Sequence, residues 1–110
     1  MEENFLIKKE NIKILTDIKG GCIASNRITK EGLKVKYMYR EHPSSNFNDT
    51  GWRFFAGDEG EEYTKNSNNF NIFELNTICN YDDQIIPNLD APIGSAFVKE
   101  QNGKFIKENR

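Results

Sequence analysis

Two segments of the chain alternate apolar and polar positions with a period of two. In Val35-Lys-Tyr-Met-Tyr-Arg40, Val35, Tyr37 and Tyr39 fall on one side, and Lys36, Met38 and Arg40 on the other. In Gly51-Trp-Arg-Phe-Phe-Ala56, Trp52, Phe54 and Ala56 alternate with Arg53 and Phe55. Successive residues of a strand point to opposite faces, so both segments predict β-strands. His42-Pro43 ends the first, because proline lacks a ladder donor. Gly51 and Gly57 bracket the second as turn residues. The loop from Pro43 to Gly51 is polar, which predicts that the two strands pair antiparallel through a long connection.

The flanking sequence reads less evenly. Phe5/Ile7 and Ile12/Ile14 alternate like strands, while Ile14, Leu15 and Ile18 would suit a helical turn, so 4–18 reads as a short extended segment with a turn after it. Gly20-Gly21 leads into Cys22-Ile-Ala-Ser25, a short apolar run with the look of a buried strand. Asn26 is a helix cap or turn former, and Arg27 to Leu33 reads as a short helix stopping near Gly32. Ile72, Leu75, Ile78 and Cys79 form a helical stripe within Phe70–Tyr81, with Asn71 as N-cap and Glu74 in capping-box position. The stretch between, Tyr63 to Asn69, is polar and irregular. Ile85 to Leu89 starts another buried segment, and Asp90 to Gly94 is a turn. Ser95–Glu100 and Lys104–Glu108 flank Gln101-Asn-Gly103, a strong hairpin signal. The sum is an α+β fold: a small, mostly antiparallel sheet of about five strands with one or two short helices.

With 110 residues, positions 1–110 are expected to form a single domain. A net charge of -2 from interspersed lysines and carboxylates predicts no nucleic-acid partner, since such binders carry a basic face. No run approaches the ~20 apolar residues of a membrane span, so no membrane partner is expected. The start, Met1-Glu-Glu-Asn-Phe-Leu-Ile, lacks the form of a signal peptide, which points to the cytoplasm. Cys22 and Cys79 then read as separate, reduced, buried thiols. Two cysteines and one histidine cannot fill a structural zinc site, and no cofactor is expected.

The densest chemistry lies in Thr50-Gly-Trp-Arg-Phe-Phe-Ala-Gly-Asp-Glu-Gly-Glu-Glu-Tyr63, where an aromatic strand runs into an acidic turn. Trp52, Phe54 and Phe55 read first as core, and as interface anchors if one of them stays exposed. Asp58, Glu59, Glu61 and Glu62 read first as a solvated turn, or as a patch that covers a basic cleft on a partner. Asp82, Asp83 and Asp90 would extend that patch if the fold brought them near. The candidate interface is therefore Trp52, Arg53, Phe55, Asp58, Glu59, Glu61 and Glu62. Their spacing does not fit a calcium loop, and no glycine group sits in a nucleotide-binding context. His42 has no nucleophile motif beside it, so no catalytic residue is nominated. Asn76 and Asn80, four apart, suit the support of a neighbouring loop.

Four segments, Val35 to Glu41, Asp49 to Glu59, Leu75 to Asp82 and Ile86 to Phe97, resemble in the same order the immunity protein 33 family. The resemblance runs from about Gly21 to about Lys99, leaving out the N-terminal segment and the final hairpin strand. It implies a place in bacterial polymorphic toxin systems, in which an immunity protein neutralises a cognate toxin by binding it. It carries no catalytic residues. The expectation is thus a non-catalytic, toxin-binding immunity protein. The alternative is a stand-alone small-ligand or regulatory binding module, which would show a concave pocket with convergent polar groups.

Overall fold

Gly20, at a positive φ of 122°, turns the chain into the first strand. The computed structural model describes residues 4–108; Met1, Glu2 and Glu3, from which the absence of a signal peptide is read, lie outside them. Strand β1 (Gly21–Ser25) is almost wholly buried. The Ser25 side chain accepts from the Arg27 N–H and so caps the short helix α1 (Asn26–Thr29). Asn26 is thus the first residue of that helix, not its cap. Gly32, at φ 84°, closes the turn after it. Strands β2 (Tyr37–Arg40) and β3 (Asp49–Phe55) pair antiparallel as expected, with Tyr37 opposite Phe55 and Arg40 opposite Trp52.

Strand β3 also pairs with β1, in parallel, and the register slips between Gly21 and Ile23. Gly51 sits in the slipped stretch of β3 with φ 92°. A Cβ there would collide with the Glu41 carbonyl oxygen, so the position demands glycine. Helix α2 (Glu61–Lys65) and a 3-10 turn at Ser67–Asn69 follow, giving regular structure to a stretch expected to be irregular. Strand β4 (Phe70–Glu74) then pairs antiparallel with β1, and helix α3 (Leu75–Cys79) continues directly from it. A 3-10 helix at Asp83–Asn88 precedes β5 (Ala96–Lys99) and β6 (Phe105–Lys107), which form the hairpin expected from Asn102-Gly103.

The sheet has six strands in the order β4-β1-β3-β2-β5-β6, and only the β1–β3 pair is parallel. One face carries Cys22, Ala24, Met38, Trp52, Phe54 and Phe97. These join Ile28, Leu75, Ile78, Ile85 and Leu89, from the helices and their loops, in one buried cluster.

Two strand assignments differ from expectation. The helix foreseen over 70–81 begins only at Leu75, and Phe70–Glu74 is a strand. Asn71 is no cap: it lies opposite Ala24, and its side chain donates to Asn26 Oδ1 at 2.7 Å. The physical reason is that β1 would otherwise leave one ladder edge unpaired against the core. Val35 precedes β2 and packs in the core with Met38, so it does not share the side of Tyr37 and Tyr39. Its N–H donates to the buried Asp82 carboxylate at 3.0 Å, which draws the residue inward.

The N-terminal segment forms no strand among the described residues; its helical turn falls at Lys9–Asn11. Its backbone is held by α3 and the residue just beyond it. Asn76 Oδ1 accepts from the N–H groups of Leu15 and Thr16, and Asn80 Oδ1 from that of Lys13. Both amides donate in return to the Lys13 carbonyl. Loop support is therefore what these two asparagines provide.

Candidate functional site

Helices α1 and α3 and the 3-10 helix at Asp83–Asn88 cover one face of the sheet, and the other is exposed in its middle. Strand alternation sends Ile23, Tyr37, Tyr39, Arg53, Phe55, Phe70 and Ile72 to that second face. Its rings, from β2, β3 and β4, touch one another. Tyr39 stacks on Phe55 with centroids 5.8 Å apart and planes 13° apart. Phe55 meets Phe70 edge-on at 5.7 Å, and Tyr63 of α2 meets Phe70 edge-on at 5.9 Å. Between this face and α2 lies a trough of about 700 Å³. Ile23, Tyr39, Arg53, Phe55, Phe70 and Ile72 form its floor and walls, with Glu41 and Thr64 at its rim.

Arg53 is the charged centre of this face, and it is 4% exposed. Its guanidinium grips Asp49 with two bonds of 3.0 and 2.8 Å, and its Nε donates to Glu41 at 2.6 Å. Burial opposes the charge on Arg53, but the hydrogen bonds to Asp49 and Glu41 prevail and raise its pKa above the ordinary value. Burial would likewise raise the Asp49 carboxyl. The Arg53 guanidinium and the N–H groups of Ser44 and Gly51 overcome it and hold the pKa at about 2. The triad thus carries two carboxylates to one guanidinium, leaving negative charge beside the rings.

The nominated residues divide. Phe55 lies half-buried on the open face, as an anchor must. Trp52 does not: it is 0% exposed, stacks near Phe54 and donates from Nε1 to the Leu89 carbonyl at 3.2 Å. Its place in the candidate interface is corrected, since only its core role fits this position. Arg53 lines the trough from below, tied to Asp49 and Glu41 and not to the acidic turn.

Within that turn the carboxylates have different duties. Asp58 pairs with Arg27, whose hydrogen bond lowers the Asp58 pKa and raises that of Arg27. Glu59 folds back and accepts from the Ala56 and Gly57 N–H groups at 2.8 and 2.9 Å, closing the turn. Glu61 and Glu62 stand exposed in the first turn of α2, where carboxylates suit the helix dipole; Glu61 also reaches Lys65 at 3.6 Å. Asp82 does not extend the patch. It is buried and accepts from Lys99 at 2.6 Å.

Tyr37, Tyr39, Phe70, Ile72 and Glu41 were not nominated from sequence. The Tyr37/Tyr39 alternation was visible, but nothing in it told which face the helices leave bare. Ile72 is hidden by the helical stripe that it begins, and Phe70 by the helical segment assigned around that stripe.

Cys22 and Cys79 are both free and buried. Burial pushes Cys22 well above the ordinary thiol range and Cys79 up to about 11, so neither is disposed to act as a thiolate. Among the described residues no group of three or more His, Cys, Asp or Glu side chains is placed to hold a metal. None of the described helices is long and apolar enough to cross a membrane.

Residues 22–109 match the model of the immunity protein Imm33 domain. The chain belongs to this family. The match takes in the final hairpin strand, which the sequence resemblance leaves out, and it begins after the N-terminal segment. No curated protein matches the chain, and no solved structure does. Family membership gives the protein a role in toxin immunity and a toxin as its counterpart. In this Imm33 domain the aromatic face, its trough and its ion triad all lie inside the matched region.

Proposed function

We propose that the protein neutralises a cognate bacterial toxin in the cytoplasm by binding it directly, without catalysis, through the uncovered face of the sheet. One observation carries this reading. A connected group of rings, Tyr37, Tyr39, Phe55 and Phe70, lies on the sheet face that α1 and α3 leave bare, with Tyr63 of α2 at its margin. Interfaces concentrate their energy in such clustered, rigid aromatic residues. The net negative triad and the exposed Glu61 and Glu62 suit a partner with a basic surface, whose approach they would steer. The asymmetry of the molecule supports binding over ligand capture. The trough is one part of a wider aromatic face, and its polar lining is already committed to internal bonds through Arg53.

The test uses the toxin encoded beside this protein's gene. Tyr39→Ala and Phe55→Ala, checked for folding by thermal melts, should each weaken binding about 30-fold, the loss typical of an anchor residue. Both should also reduce protection of cells that co-express the toxin. Wild-type affinity in both folded variants would move the interface off this face.

A further inference from the structure

The Leu75 N–H donates to the Gly20 carbonyl at 2.9 Å, one step beyond the β1–β4 ladder. In antiparallel strands, residue pairs alternate between exchanging two bonds and exchanging none. The register therefore makes Cys22–Phe73 and Ala24–Asn71 the bonded pairs. The backbone groups of Phe70, Ile72 and Glu74 then point away from β1. The far side of β1 obeys the same parity, since the Gly21 N–H donates to the Asn48 carbonyl at 2.6 Å.

Of the outward groups, the Phe70 N–H donates to the Ser67 carbonyl. Among the described residues, no bond reaches the Phe70 carbonyl, the Ile72 N–H and carbonyl, or the Glu74 N–H. Ile72 is also 59% exposed. Edge strands are commonly guarded by lysine, proline or a bulge. The opposite edge strand, β6, carries Lys107 and is flanked by Lys104 and Glu108; in β4 the only charge is Glu74 at its end, and Phe70-Asn-Ile-Phe73 holds no lysine, proline or bulge.

We infer that the outer edge of β4 takes up an extended segment of the toxin as an added strand. This rests on the direct-binding reading and names the mode of contact. In the free protein water can serve these groups; among protein partners, a row of alternating donors and acceptors is matched by extended backbone. A second copy of this chain is the lesser fit. A five-residue edge spans only about 17 Å. Pairing two such edges closes far less than the roughly 1,600 Å² of a stable interface. A toxin segment on β4 can extend its contact beyond the strand, because the edge runs into the aromatic face: Phe70 and Ile72 also line the trough. The segment should carry β-branched or aromatic residues beside Phe70 and Ile72, and a basic residue opposite Glu74.

Amide hydrogen exchange by NMR, on the protein alone and bound to the toxin encoded by the adjacent gene, reads this directly. In the free protein the Ile72 and Glu74 amides should exchange fast and those of Asn71 and Phe73 slowly. On binding, Ile72 and Glu74 should slow at least tenfold. Ile72→Pro removes one outward donor and leaves the bonds to β1, so it should weaken binding at least tenfold. Ile72→Ala keeps the donor and should weaken it less. Melting curves establish that both variants fold. If the toxin binds but those amides stay fast, or if Ile72→Pro binds like Ile72→Ala, the edge proposal is overturned and direct binding stands. Absence of any binding overturns both. A dimer of the free protein with Ile72 and Glu74 already protected would assign the edge to a second copy and overturn it too.

Discussion

The Asp49 carboxylate has a side-chain exposure of 0% and yet stays charged, because Arg53 meets it with two bonds and two backbone N–H groups add to them. Its folded pKa of about 2 lies below the about 3.9 of an unfolded aspartate. The lowered value means that the charge on Asp49 favours folding above about pH 4, and that this contribution is lost as pH falls from there toward 2. Unfolding free energies measured over that window should fall more steeply in the wild type than in Asp49→Asn. Trp52 is a second residue whose role follows from its surroundings. It is fully buried, so Trp52→Ala should lower stability by roughly 3–5 kcal/mol in a denaturant titration. A midpoint that hardly moves would contradict that placement.

Among the elements, the N-terminal strap shows how a segment without a ladder is fixed in place. Asn76 and Asn80 supply amides in both directions to the backbone of Lys13, Leu15 and Thr16, doing the work of a neighbouring strand. Asn76→Ala should speed exchange of the Leu15 and Thr16 amides. It should cost about 1 kcal/mol for each net hydrogen bond lost, with the β1–β4 ladder amides unaffected. Unchanged exchange at both positions would show the strap to be held by packing alone. The neighbouring β4 shows the converse. Its Ile72 begins a helical stripe in sequence, but the segment was claimed by a sheet edge that needed a partner.

At the scale of the whole molecule, charge and rings gather on the side away from α1 and α3. Asp58 and Glu59 are engaged with Arg27 and with the turn backbone, which leaves Glu61 and Glu62 as the carboxylates available to steer a partner. The double variant Glu61→Gln, Glu62→Gln should slow toxin association at low salt with little change in dissociation, and the difference should shrink as salt screens it. Equal association rates at low salt would remove the acidic helix start from the mechanism. The two cysteines give an independent check: the unfolded chain without reductant should show two free thiols by mass.

The strands at β2 and β3, the final hairpin and the buried run at Cys22–Ser25 were legible in the sequence. Alternation, glycine and Asn-Gly turns are local signals, and local sterics enforce them. The family, too, was recognisable from four ordered segments. Tertiary structure alone decided three matters. Phe70–Glu74 became a strand because β1 required hydrogen bonds on its far side. Trp52 went to the core while Phe55 stayed on the open face; alternation had separated the two residues, but only the position of α3 and its flanking turns told which side was inside. Asp58, Glu59, Glu61 and Glu62 look alike in sequence. They diverged because Arg27 and the Ala56–Gly57 backbone, brought near by folding, bind the first two and leave Glu61 and Glu62 on an exposed helix turn.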